Sequence, residues 1–166
     1  MGTPYSIKVY KQYFNFAASH FLLFENGTRE PLHGHNYRVF LKGKAPELKG
    51  DMVFDFLDIK PIVRELCNEL DHKLILPGEN ISLKIYQKDK NFEVTTPDGS
   101  FFSFPTMDVL VLPIVNTSAE RLAIFFATQI KERVFKKFGF VFSELEVEVE
   151  ETPGQSAVYE SRENQE

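Results

Sequence analysis

Apolar and polar residues alternate through YSIKVYKQYFNFAA near the start of the chain, setting Ile7, Val9 and Tyr13 on one side of a predicted strand. The same period of two runs through NYRVFLKGKA, where Tyr37, Val39 and Leu41 share a face. ENGTREPLHGH between them carries turn formers and no period, which predicts a loop. GDMVFDF reads as a short extension or the end of a hairpin. The period then lengthens. Ile59, Ile62, Val63, Leu66, Cys67 and Leu70 fall on one face of a helix over 58–70, with Asp58 as N-cap and Pro61 in the first turn.

Residues 80–112 hold two or three strand-like runs around Lys-Asp-Lys-Asn and Pro-Asp-Gly turns, an inserted β-hairpin. A second helix is predicted over about 117–138. Thr117 and Glu120 form its capping box, Gly139 its stop, and Leu122, Phe126, Ile130 and Val134 its buried stripe. SELEVEVEE alternates Leu145, Val147 and Val149 against glutamates, and SAVYE pairs back across Pro153-Gly154. The order is β-β-α-(hairpin)-α-β-β: an α+β domain with one antiparallel four-stranded sheet backed by two helices. Residues 1–160 form the single domain, and 161–166 a disordered tail. The two free sheet edges call for cover by a closed oligomer.

Hydrophobic residues make up 43% of the 166, enough for a real core. Acids outnumber bases 24 to 19 without a basic cluster, which argues against a nucleic-acid binder and leaves room for a phosphorylated small molecule at a local basic spot. Arg29 and Lys42 are candidates for that spot. One cysteine excludes an internal disulfide and suits a reducing, cytoplasmic setting. No apolar run approaches a membrane span. MGTPYS matches the Met-Gly-x-x-x-Ser myristoylation pattern at Gly2, though six residues match easily and a plain start is the reading taken.

His33 and His35 alternate along an extended segment, so both side chains lie on one face, with Gly34 keeping it uncrowded. His20 joins them if residues 7–24 and 35–43 form a hairpin. Three imidazoles suit an open, catalytic zinc site; the pattern is equally that of a common H-x-H and a core histidine. Asp71 before His72 reads as a proton relay or as a helix end with His72 against the dipole. Glu30 is a base or a solvated loop residue, Glu120 a ligand contact or a cap, and Glu151 a site residue or the end of an acidic strand. Cys67 lies on the apolar helix face and packs in the core.

FNFAASHFL, LHGHNYRVFLKG, DMVFDFLDIKPIV, CNELDHKLI, NTSAERLA and VEVEETPGQSAVYE follow one another in the order of the 6-pyruvoyl-tetrahydropterin synthase family, which this chain resembles from about residue 7 to 160 outside the insert. The resemblance implies a tunnelling fold, with three subunits joining sheets into a barrel and two trimers stacking into a homohexamer. It implies zinc on His20, His33 and His35, and 7,8-dihydroneopterin triphosphate as substrate at subunit interfaces. Glu151 with Thr152 would grip the pterin, Ser118 and Glu120 would add a contact, and Asp71 with His72 would relay protons.

One departure stands out. Usual members carry a cysteine in the loop before H-G-H; here the loop offers Glu30. That resembles a variant subgroup in which glutamate replaces the cysteine and the side chain is cut between C1′ and C2′, leaving 6-hydroxymethyl-7,8-dihydropterin for folate synthesis. A conventional 6-pyruvoyl-tetrahydropterin synthase and a 6-carboxy-tetrahydropterin synthase are the alternatives, and a non-catalytic pterin- or zinc-binding protein is the third reading.

Overall fold

The computed structural model describes residues 5–163. Gly2 of the myristoylation pattern lies outside them, as do the last three residues of the expected tail. The chain runs β1 (Tyr5–Val9), β2 (Asn15–His20), β3 (His33–Ala45), α1 (Phe56–Leu70), β4 (Lys73–Pro77), β5 (Lys84–Lys88), β6 (Asn91–Thr95) and β7 (Phe101–Pro105). A 3₁₀ turn (Thr106–Asp108) leads to β8 (Val109–Leu112), then α2 (Ala119–Phe138), β9 (Glu144–Thr152) and β10 (Gln155–Arg162).

The expected antiparallel strands form one side of the main sheet, in the order β10-β9-β3-β2. The sheet continues through β4 and β8, both paired in parallel, and β1 pairs with the far half of β3. Neither β4 nor β8 shows an alternation that a sequence reading can use. Leu74, Ile75, Leu76 and Pro77 are buried in a row, as in a strand covered on both faces. Ile75 packs in the core under the helices, while Leu74 and Leu76 pack in a second core under the insert.

The first strand-like run is broken in two. A turn closed by Phe14 N–H donating to the Lys11 carbonyl (3.0 Å) separates β1 from β2 and shifts the alternation by one residue. Val9 faces the core before the turn; Phe14, Phe16, Ala18 and His20 face it afterwards. Tyr13, expected inside, is exposed. The bulk of Phe14 and Phe16 decides this: both are fully buried, and Phe16 stacks on Tyr37 at 4.8 Å. The shift is what turns His20 inward.

Helix α1 buries the six expected residues but starts earlier, capped by Asp55, whose carboxylate accepts from Leu57 N–H at 2.7 Å. Asp58 sits in the first turn instead, and Pro61 lies in the second. Phe56 and Leu57 are exposed, so the apolar periodicity carries no trace of the extra turn. The helical bond Pro61 cannot make would have gone to Leu57, itself on the wet side.

Helix α2 is capped by Ser118, not Thr117. Ser118 accepts from Arg121 N–H at 3.3 Å, while Thr117 is fully buried and donates its hydroxyl to the Phe21 carbonyl at 2.9 Å. The expected Thr117–Glu120 box is therefore not formed. Gly139 ends the helix in the left-handed region (φ 61°), donating to the Phe135 carbonyl.

The insert is a three-stranded meander, β5-β6-β7, with tight turns at Asp89 (φ 52°) and Gly99 (φ 85°). Strand β10 runs through Arg162, so Ser161 and Arg162 are sheet rather than tail: Lys131 donates to Ser161 Oγ at 2.7 Å, and Arg162 pairs in register with Glu144.

Candidate metal centre

Strands β2 and β3 run antiparallel with His20 opposite His33 and Ala18 opposite His35. On β3 the odd residues face the core: Tyr37, Val39 and Leu41 are buried, and His33 and His35 continue their stripe to the strand's start. The apolar core thus ends in three imidazoles, with ring centroids 4.7–5.3 Å apart. A fourth donor comes from β9, where Glu151 follows Leu145, Val147 and Val149 in phase. One ligand atom from each of His20, His33, His35 and Glu151 lies within 4.8 Å of all the others.

The hydrogen bonds fix which nitrogens are available. His20 Nδ1 is 2.9 Å from the Thr117 carbonyl, and His33 Nδ1 is 2.7 Å from the Pro31 carbonyl. A carbonyl only accepts, so each Nδ1 carries the hydrogen and each neutral ring keeps a lone pair on Nε2. Burial pushes the His20 pKa down, favouring the neutral ring, although the Thr117 bond and Glu151 work the other way. Glu151 Oε1 lies 2.8 Å from His35 Nε2 and 3.3 Å from His20 Nε2. Neither nitrogen has a hydrogen-bond partner among the described residues. With Nδ1 of His20 and of His33 engaged by carbonyls, their Nε2 lone pairs are left for a shared cation, and together with His35 and Glu151 this donor set fits a divalent metal.

Tyr37 forms the floor. It is fully buried, with the His20 and His35 rings edge-on at 5.9 and 5.7 Å. Burial raises its pKa, and the Glu151 and Glu30 carboxylates raise it further. Glu30 is half-buried; its Oε2 accepts from Leu22 N–H at 3.2 Å.

Asp71 caps α1 and accepts from Ala17 N–H (2.8 Å) and from His72 Nδ1 (2.8 Å). Burial works to raise its pKa, but these partners outweigh it and hold the carboxyl below its usual range. His72 takes a positive φ of 58°, uncommon for a residue with a Cβ, and its side chain is 82% exposed. Its amide donates to Ala17 O at 2.6 Å. His72 and His35 line one open cleft of about 490 Å³ together with Ser19, Asn36, Lys73 and Phe104.

The other expected site residues lie at the start of α2 and at the end of β9. Ser118 follows Thr117 at the start of α2, Glu120 is exposed in its first turn, and Thr152 donates to Gln155 Oε1 at 3.0 Å. Glu151, expected against the pterin, turns its carboxylate to the histidines. Its place in the β9 alternation was the sequence signal for that face; the Thr117 carbonyl left no sequence signal. Arg29 forms an ion pair with Asp98 of the insert (3.3 Å). Lys42 lies seven residues beyond His35 along β3, roughly 23 Å away, too far to serve the same chain's centre. Cys67 is fully buried, and burial pushes its thiol up to about 12. No helix among the described residues is long and apolar enough to cross a membrane.

The family model described as 6-pyruvoyl tetrahydropterin synthase matches residues 8–162. The "Putative 6-carboxy-5,6,7,8-tetrahydropterin synthase" of Methanocaldococcus jannaschii is 41% identical over 149 residues, covering 87% of this chain and 88% of that protein. The crystal structure of 6-pyruvoyl tetrahydropterin synthase from Plasmodium vivax superposes with a TM-score of 0.88 at 34% identity, covering 95% of this chain and 98% of that one. Two further structures of the P. vivax protein, equally similar, carry alanine or cysteine in place of a catalytic glutamate.

Proposed function

This chain belongs to the 6-pyruvoyl tetrahydropterin synthase family, and from that premise we propose that it is a zinc-dependent enzyme that cleaves 7,8-dihydroneopterin triphosphate to 6-hydroxymethyl-7,8-dihydropterin, with Glu30 as the base. The observation that carries the reading is the pairing of an inert cysteine with a placed glutamate. Cys67 is sealed in the core with its thiol held protonated, so it supplies no thiolate, and the loop leading to His33 presents Glu30 instead. The catalytic glutamate of the P. vivax protein supports the same assignment.

His20, His33 and His35 would hold the zinc, with Glu151 a fourth donor in its reach. Zinc bound there would polarise the vicinal hydroxyls of the substrate side chain and lower their pKa. Glu30 accepts the proton of the C2′ hydroxyl as the C1′–C2′ bond breaks; the bond electrons pass into the pterin ring and the C2′ fragment leaves as an aldehyde. His72, oriented by Asp71, returns a proton to C1′, which becomes the hydroxymethyl carbon. When substrate is bound, Glu151 is also the carboxylate suited to adjacent N–H donors on the pterin's pyrimidine edge, with Thr152, Ser118 and Glu120 around it. Among the described residues the outer edges of β8 and β10 are unpaired, which supports a homohexamer with sheets joined edge to edge.

A second reading, a 6-carboxy-tetrahydropterin synthase, is favoured by the identity to the M. jannaschii protein. One assay separates them: zinc-loaded protein is incubated with 7,8-dihydroneopterin triphosphate and the pterins are identified by mass spectrometry. Hydroxymethyl-dihydropterin as main product is the expected result. A pyruvoyl or carboxy product alone would overturn the cleavage reading.

A further inference from the structure

The loop that carries Glu30 is held from two sides. On one, Glu30 N–H donates to the Leu22 carbonyl (3.0 Å), Leu22 N–H returns a bond to Glu30 Oε2, and Leu23 bridges Arg29. On the other stands the insert, and the link is Arg29. Its Nη1 donates to the carbonyl of Glu30 itself at 2.9 Å, and its Nη2 donates to Ser100 Oγ at 3.0 Å. Nε lies 3.3 Å from Asp98 Oδ2, and the guanidinium sits over the Phe102 ring at 4.9 Å and Phe21 at 5.8 Å. One planar fork therefore joins the β6–β7 turn to the Glu30 backbone.

That turn is built to receive it. Gly99 N–H donates to Thr96 O, and Thr96 N–H donates to Ser100 O, closing the turn on both sides. The Thr96 hydroxyl and the Ser100 amide both donate to Asp98 Oδ1. These bonds, with Arg29 nearby, bring the Asp98 carboxyl down to about 2, so the group facing Arg29 is a carboxylate at neutral pH. Stacking and a shared fork are properties of a guanidinium that an ammonium cannot reproduce.

We infer that the β5–β7 insert is a clamp for the Glu30 loop, with Arg29 as its pin and Asp98 and Ser100 as its seat, so that these three are positioning residues for Glu30. The inference rests on Glu30 being the base. It gives the insert a task beyond lengthening the connection between the helices, and it commits Arg29 to Glu30 rather than to the substrate phosphates.

The test uses the zinc-loaded full chain with Asp98→Ala and Ser100→Ala combined, both on the insert. Turnover of 7,8-dihydroneopterin triphosphate should fall about tenfold or more, as loss of positioning does, with zinc content and melting temperature near wild type. Amide exchange in the peptide spanning 22–30 should quicken in the same protein, and Arg29→Lys should reproduce both effects. Wild-type turnover with unchanged exchange would overturn the clamp. So would a variant that loses fold and zinc together, which would make the turn a staple for stability alone. Glu30→Ala separates the two readings. If it stays active, the base assignment falls; if it is inactive while the double variant is wild type, only the clamp falls.

Discussion

His20 and His33 stand opposite each other across the β2–β3 ladder with their rings 4.8 Å apart, and each gives its Nδ1 hydrogen to a carbonyl, those of Thr117 and Pro31. The backbone thus orients both Nε2 lone pairs before any metal arrives. His20→Ala, His33→Ala and His35→Ala should each release most of the zinc, measured as metal per chain after purification. Stoichiometric metal in all three would remove the centre.

Glu30→Ala should keep zinc and fold and lose turnover by roughly 10²–10⁴-fold, the range for removing a general base. Metal content, circular dichroism and initial rates decide it together. A variant that turns over normally would leave Glu30 as a loop residue bonded to Leu22 and nothing more.

Cys67→Ala should be nearly silent in activity and lose about 1 kcal/mol of stability by emptying a small space in the core. The pH dependence has a definite sign. The folded thiol lies at about 12 against an ordinary 9.0, so its contribution is complete below pH 9 and fades as pH rises toward 12. Denaturant midpoints taken upward from pH 8 should fall more steeply in the wild type than in Cys67→Ala. Parallel curves would show the thiol to be wetter than its burial implies.

Gly43→Ala should destabilise by about 1–3 kcal/mol. A Cβ there would lie 2.6 Å from the Phe142 ring, which is buried and wedged against Phe54 and Phe140. A melting temperature equal to wild type would mean that this aromatic cluster can yield.

Much of the fold is legible in the chain because its strongest signals are periodic. Six apolar residues of α1, the stripe of α2 and the alternation of β9 each describe a face that water excludes, whatever it packs against. Boundaries were less legible. Asp55 and Asp58 are both fit to cap α1, as are Thr117 and Ser118 for α2, and only the burial of Thr117 against Phe21 selects between the second pair.

The residue types, their spacing on β3 and the missing loop cysteine were set by the sequence alone, because alternation in a strand needs no partner to put His33 and His35 on one side. Tertiary structure decided the rest. The turn at 11–14 changes the phase of the first strand and buries His20; a different strand brings Glu151 to the same point; the insert reaches back through Arg29 to the loop of Glu30. The turn is local, but the burial of Phe14 and Phe16 that selects it, like the other two contacts, joins residues far apart in the chain, and local patterning carries no term for a contact that exists only once the sheet has closed.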